Sequence, residues 1–450
     1  MEMPKKTRRA ANEDIATLLR QKELMDERQA LKMFELFERL SRAVKTPSGH
    51  TIYLSDKAKE SLTRVTRVTR VTRTVETFLP SAPQIESEDI YKACKAVLGR
   101  LYEEEDPPKN IDSFLAAVEE ISKESISTYR FYTTLDGLEF SDMDKLEIGR
   151  LTVQRPDLTI LQNCVADEDM VSNTWKRMQR GLWMTGEITG SFEYAERRFF
   201  EDVKAACGLL AISFTTVLER GGAAVRLMPS MDGRDRPSTA SWFSFQTESK
   251  VLCTSFSMRG NQNLTLNKQQ MCGMLGCEWF QELTRIIQDG RENDVEQAVR
   301  RGIYWFFDAQ TDTTPEMQLV KFWSCIECIF SFENDKETTK KIKQGLTAIL
   351  TLGGYRFSHP DEWKSLEKEI GDLYDLRCGA VHDAKHSHIK AHHVTTVSKW
   401  AAWVMLEVSG LVSRGFESRA AIKAETDHLY GLLQQRTAVK VTVPPQQDKE

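Results

Sequence analysis

Apolar residues recur with helical spacing over most of the first 145 residues. Between Asn12 and Val44 they fall three or four positions apart among Glu, Lys and Arg, which predicts an amphipathic helix that ends at a Pro-Ser-Gly turn. A further helix is predicted over Ile111–Ser122. We therefore assign residues 1–145 to a helical N-terminal region.

The pattern changes near Lys145 to short runs of alternating or β-branched residues, separated by Gly, Pro and Asp. The runs predict strands at Glu147–Gln154, Leu158–Gln162, Leu182–Thr189, Ala224–Met228 and Trp242–Phe256. One helix is predicted among them, at Tyr194–Leu210. Residues 146–285 are therefore predicted to form an α+β domain with an antiparallel sheet, to which we assign a sensor or regulatory role. No glycine-rich loop followed by Lys-Ser or Lys-Thr supports a nucleotide site there.

Helical spacing returns after Asn267 and continues almost to the C-terminus. The predicted helices are Gln269–Ile287, Asp294–Ala309, Pro315–Phe332, Lys336–Leu352, Pro360–Cys378, His388–Ser413 and Glu417–Gln435. We assign residues 290–437 to an all-α helical bundle and residues 438–450, with two Pro and two Gln in succession, to a disordered tail. The predicted fold class is thus multidomain and mainly α, with a central α+β domain and a C-terminal helical bundle.

Composition narrows the function classes. The 450 residues include 61 Lys and Arg against 66 Asp and Glu, a net charge of −5, which excludes a globally basic nucleic-acid binder but not a local basic patch. No apolar run approaches the ~18–20 residues that a membrane helix needs, so no membrane partner is expected. The nine cysteines are an odd number and no export signal precedes them, which favours reduced thiols and a cytoplasmic location.

A three-residue repeat, Thr-Arg-Val, fills residues 63–73. Its period matches neither the helix nor the strand, and in a helix its arginines would form a slowly drifting basic stripe. Recent duplication within an exposed helix is favoured over a nucleic-acid contact. The meaning of the repeat is left open by the sequence.

Six of the eight histidines lie between His359 and His393, and the densest stretch contains Arg377 and His382. An imidazole can act as general base or acid, and a guanidinium can hold a phosphate and its developing charge, so this pair suits metal-free phosphodiester chemistry. Five residues separate the pair, about 140° around a straight helix. Either Gly379 relaxes the helix between them or a second protomer supplies the other member across a two-fold axis.

The wider pattern resembles the HEPN superfamily, in particular the Apea-like HEPN group of bacterial defence proteins. Tyr374-x2-Arg377-x4-His382 follows, by about fifty residues, a helix with the pattern Leu319-x3-Trp323-x3-Glu327-x2-Phe330. The resemblance covers about residues 290–415. The residue after the Arg is often Asn, Asp or His in this family, whereas here it is Cys378.

The resemblance implies a helical bundle that forms a two-fold dimer and cuts RNA without a metal or another cofactor. Arg377 would bind the scissile phosphate, and His382 would act in the proton transfer that lets a ribose 2′-hydroxyl attack. Supporting roles are assigned to Glu327, Tyr374, Cys378 and Asp383, and weak RNA contacts to Lys385, His386 and His388. For Glu327, an ordinary ion pair with a Lys or Arg is an equally good interpretation.

The function predicted on this basis is a metal-independent endoribonuclease, a toxin-like effector of antiviral abortive-infection defence released by a phage or cellular trigger. The alternative is a catalytically inert HEPN scaffold that only dimerises or binds. The intact Arg377/His382 pair favours the enzyme, and Cys378 with the acidic net charge favours the scaffold.

Three further features favour structural interpretations. Cys325 and Cys328 form a Cys-x2-Cys inside an apolar helical run, with no second pair at zinc spacing, and are predicted to pack in the core. His388 and His392 share a helix face, but no acidic or thiol ligand completes a metal set, so solvated histidines are expected. Trp400 and Trp403 are predicted to lie in the core or at a dimer face.

Overall fold

The computed structural model of the chain describes residues 79–103, 111–164, 167–217, 225–232, 239–245, 252–258, 264–331, 338–383 and 388–442. The predicted helix between Asn12 and Val44 and the Thr-Arg-Val repeat lie outside these residues. Within them the chain is mainly helical, with a small, mostly antiparallel sheet region.

The described helices are interrupted by strands at three places, all before Lys268. They are α1 Ser87–Glu103, α2 Ile111–Glu124, α3 Leu158–Gln162, α4 Glu168–Met178, α5 Phe192–Val217, α6 Lys268–Leu275, α7 Glu278–Asp289, α8 Asp294–Thr311, α9 Pro315–Phe330, α10 Thr338–Leu352, α11 Trp363–His382, α12 Ala391–Ser413 and α13 Arg419–Thr442. Helix α9 begins with proline at its first position after Thr314, as the sequence predicts.

The described strands form three sheets. They are β1 Ser127–Asp136, β2 Leu138–Phe140, β3 Lys145–Ile148, β4 Leu151–Gln154, β5 Leu182–Gly190, β6 Met228–Pro229, β7 Thr239–Phe245, β8 Leu252–Met258 and β9 Leu264–Leu266. The largest sheet has the order β3-β4-β5-β1-β6, β2 pairs with β9 in parallel, and β7 pairs with β8. Leu146 opposite Val153 and Thr239 opposite Met258 fix two of the antiparallel registers.

Several sequence predictions for the central region are wrong. Leu158–Gln162 is a helix rather than a strand, because Asp157 caps it through the backbone N–H of Thr159. The strand predicted at Glu147–Gln154 is a hairpin that turns at Gly149, whose φ of +64° suits glycine. The Trp242–Phe256 run is likewise an antiparallel pair, β7 and β8.

Boundaries differ as well. Strand β1 begins at Ser127, inside the region predicted to be helical up to residue 145. Strand β6 shares only Met228 with the run predicted at Ala224–Met228. The helix predicted at Gln269–Ile287 is two helices, broken at Gly276. Helix α13 extends to Thr442, so residues 438–442 are helical rather than part of a disordered tail.

Two compact units can be distinguished by contacts among the described residues. One contains the residues up to Phe131 together with Glu187–Phe199, and its core joins α1 and α2 through Ile90, Val97, Phe114 and Val118. The other contains Tyr132–Gly186 and the chain from Phe200 onward, including the C-terminal helices.

Helix α9 lies at the centre of the C-terminal helices and packs against α8, α10, α11 and α12. It is mostly apolar, and Phe322, Trp323 and Ile326 are completely buried. Burial of side chains of this size contributes about 1.5–3 kcal/mol each, so this helix is the main hydrophobic support of the bundle.

Contacts between helices bring their ends together in two pairs. Glu327, near the C-terminus of α9, contacts Arg377, near the C-terminus of α11, and we call this place the Arg377 end. Glu407, near the C-terminus of α12, accepts hydrogen bonds from Gly354 and Tyr355, just after the C-terminus of α10.

Candidate functional site

A glutamate on α9 holds two side chains of α11. Tyr374 donates its hydroxyl to Glu327 Oε1 at 3.1 Å, and Arg377 Nη2 donates to Glu327 Oε2 at 2.9 Å. Tyr374 and Arg377 are three residues apart on α11, so they share a helix face and reach one carboxylate. The structure thus brings together three of the residues that the sequence singled out.

An aromatic cluster supports this glutamate. Trp323 is four residues before Glu327 on α9, and its ring meets that of Tyr374 edge-on at 5.1 Å between centroids. On its other side Trp323 meets Trp400 of α12 at 6.2 Å. Both tryptophans are buried, so the prediction that Trp400 lies in the core is confirmed. The cluster fixes the rotamers of the residues that carry the polar groups.

Burial controls the charges of the site. It raises the pKa of Glu327 above its ordinary range, although the Arg377 guanidinium and the Tyr374 hydroxyl act in the opposite direction. Burial, and then the carboxylate of Glu327, raise the pKa of Tyr374 to about 12. Tyr374 is therefore protonated near neutral pH and serves as a donor.

The guanidinium of Arg377 is largely enclosed. The side chains of Arg377 and Glu327 are each 17% exposed, and the Arg377 Cζ atom lies 5.7 Å from the centre of the Tyr374 ring. Arg377 Nε is buried and has no hydrogen-bond partner. The ordinary ion pair that the sequence offered as an equal interpretation of Glu327 is present.

His382 is the last residue of α11 and is exposed. The helix is continuous from Trp363 through Gly379, so the glycine does not relax it and that explanation for convergence with Arg377 is wrong. On a continuous helix the two side chains point about 140° apart. Of the two arrangements that the sequence allowed, only a contribution from a second protomer remains, and it stays a prediction.

The other predicted site residues lie around the end of α11. Cys378 is half-buried, and Asp383 is the exposed C-cap residue, whose backbone N–H donates to the carbonyl of Gly379 at 3.1 Å. His388 is exposed in the turn before α12. Lys385 and His386 lie outside the described residues.

A histidine outside the predicted site residues, His393, caps α12. His393 Nδ1 accepts a hydrogen bond from the backbone N–H of Lys390 at 3.2 Å, and its ring lies 4.0 Å from that of His392. Burial, His392 and Lys390 all lower the pKa of His393. The sequence signal for this role was the position of His393 three residues after the N-cap residue Lys390, where a side chain often accepts a hydrogen bond from the N-cap backbone N–H.

Cys325 is completely buried among apolar side chains, and burial raises its pKa, in agreement with the predicted packing role. In the described part of the chain no three His, Cys, Asp or Glu side chains are grouped so that they could hold a metal ion.

Comparison of the chain with protein-family models, with curated proteins and with solved structures gives no significant match. Among the described helices none is both long and apolar enough to cross a bilayer. The assignment of a function therefore depends on the residues and geometry of the site.

Proposed function

We propose that the C-terminal bundle is a metal-independent endoribonuclease of the HEPN type, a toxin-like effector of antiviral defence. The observation that supports this most directly is the arrangement at the Arg377 end. The largely enclosed carboxylate of Glu327 on α9 fixes the position of Arg377 on α11. Helix α11 ends about one and a half turns after Arg377, at the exposed His382.

The chemistry requires only groups that these residues supply. The imidazole of His382 takes the proton of a ribose 2′-hydroxyl, and the 2′ oxygen attacks the adjacent phosphorus. The bond from phosphorus to the 5′ oxygen breaks, and that oxygen takes the proton back from the protonated imidazole of His382. A 2′,3′-cyclic phosphate and a 5′-hydroxyl are left. The guanidinium of Arg377 stabilises the charge that develops on the phosphate.

The proposal includes a two-fold dimer of the bundle. Arg377 and His382 lie about 140° apart around one continuous helix, which favours a site that two copies share. A two-fold pairing of the bundle places the histidine of one copy beside the arginine of the other. In this proposal the N-terminal and central regions respond to a phage or cellular trigger.

Chelation tests the proposed chemistry. We expect the purified protein to cut total RNA at the same rate with and without excess EDTA, because His382 and Arg377 supply the base and the phosphate ligand. The measurement is the disappearance of full-length RNA on a denaturing gel. Loss of cleavage in EDTA and its recovery with Mg²⁺ or Zn²⁺ would contradict the proposal.

A second candidate function is an inert dimerisation or binding scaffold. The observation in its favour is that Arg377 is only 17% exposed and already bonded to Glu327, so the polar cluster could serve packing alone. The scaffold predicts that purified protein leaves RNA intact under all conditions, including after substitution of Glu327.

A further inference from the structure

Arg377 offers a phosphate only part of its guanidinium as the protein is folded. A guanidinium presents two edges with a pair of parallel donors, one formed by Nε and Nη2 and the other by Nη1 and Nη2. In this structure Nε is buried, which closes the first edge. Nη2, which belongs to both edges, gives one of its two N–H groups to Glu327 Oε2 at 2.9 Å.

The contact with Glu327 also directs Arg377 away from His382. Glu327 belongs to α9, against which α11 packs, whereas His382 is exposed at the end of α11. The Arg377 Cζ atom lies 5.7 Å from the ring centre of Tyr374, which precedes Arg377 on α11 by three residues. The guanidinium therefore points back along the helix, toward the interior of the bundle.

The hydrogen bonding of this inward position is incomplete. Arg377 Nε and Trp323 Nε1 are both buried without a partner, although each belongs to a side chain in contact with Tyr374. A buried donor without an acceptor is unfavourable. The inward position is thus less favourable than a fully bonded one.

We propose that Glu327 is an inhibitory latch, which holds Arg377 inward until an RNA phosphate displaces it. This inference rests on the proposed ribonuclease function. It assigns to Glu327 a role opposite to support of catalysis: the carboxylate competes with the substrate phosphate for the same guanidinium nitrogen. A signal from the rest of the chain that separates α9 from α11 at this end would have the same effect as removal of the carboxylate.

The Glu327→Gln variant tests the latch. Glutamine keeps the size and a hydrogen-bond acceptor for Tyr374 but loses the charge that retains Arg377. We expect cleavage of a short RNA to become about tenfold faster, which corresponds to ~1.4 kcal/mol. We also expect tighter binding of the same RNA with 2′-O-methyl groups, measured by fluorescence anisotropy, since this analogue cannot be cut.

Two further variants serve as controls. Glu296→Gln removes another buried glutamate of the bundle that pairs with an arginine, Arg285 at 2.8 Å, and we expect no gain in cleavage or affinity. The double variant Glu327→Gln with Arg377→Ala should lose the gain, because the latch acts through Arg377. Thermal unfolding of every variant establishes that it is folded.

The outcomes separate the two proposals. Faster cleavage by Glu327→Gln, including activity in this variant when the wild type is inactive, supports the latch. A folded Glu327→Gln protein that cuts RNA no faster than an active wild type overturns the latch and leaves the ribonuclease proposal standing. Absence of cleavage in all folded variants overturns both.

Discussion

His382→Ala is expected to slow RNA cleavage by about 10²–10⁴-fold, the usual contribution of a general acid or base. The side chain is exposed at the end of α11, so the free energy of unfolding should change by less than about 0.5 kcal/mol. The rate is measured with a labelled RNA under single-turnover conditions. His428→Ala, which removes an exposed histidine from α13, is the matched control and should cut RNA at the wild-type rate.

The variant Arg377→Lys tests the other residue of the proposed catalytic pair. Arg377→Lys keeps a positive charge for Glu327 but lacks the planar fork, so we expect it to remain folded and to lose most of the cleavage activity. A His382→Ala protein that cuts RNA at the wild-type rate would remove His382 from the site. Wild-type activity in Arg377→Lys would show that bidentate phosphate binding is not required.

Trp323→Ala is expected to cause the largest loss of stability in the bundle, about 3–5 kcal/mol. Its indole is completely buried between Tyr374 and Trp400, so truncation leaves a cavity beneath the Glu327 cluster. Urea denaturation followed by circular dichroism measures the change. Trp403→Ala is the control: Trp403 is only half-buried, with its ring 5.8 Å from Phe357, and should cost clearly less.

A change of less than about 1 kcal/mol for Trp323→Ala would contradict the central packing role of this residue. Trp403→Ala should retain cleavage.

The C-terminal helices could be predicted because their apolar residues follow one period over long segments. Helix α9 is an example: its proline start, its apolar length and the shared face of Trp323 and Glu327 are all visible in the sequence. The central region was predicted less well, since short runs such as Leu158–Gln162 contain β-branched residues that suit either structure. At Leu158–Gln162 the hydrogen bond from the Thr159 backbone N–H to the Asp157 side chain favours a helix. The spacing of apolar residues does not reveal such a capping bond.

The candidate site, too, was predicted from the sequence only in part. The sequence identified Glu327, Tyr374 and Arg377, and helix geometry explains why one carboxylate binds the other two. It did not predict that the guanidinium is turned inward, because the direction of a long side chain depends on partners from another helix. It also allowed Gly379 to bend α11, whereas the helix is continuous to His382.

The chemical nature of the new RNA ends tests the central claim most directly. Purified protein is incubated with a short RNA in EDTA, and the products are analysed by mass spectrometry, with His382→Ala in parallel. Attack by the 2′-hydroxyl predicts a 2′,3′-cyclic phosphate or its 3′-phosphate hydrolysis product on one fragment and a 5′-hydroxyl on the other, all absent with His382→Ala. Fragments with 3′-hydroxyl and 5′-phosphate ends, or the same products from His382→Ala, would contradict it.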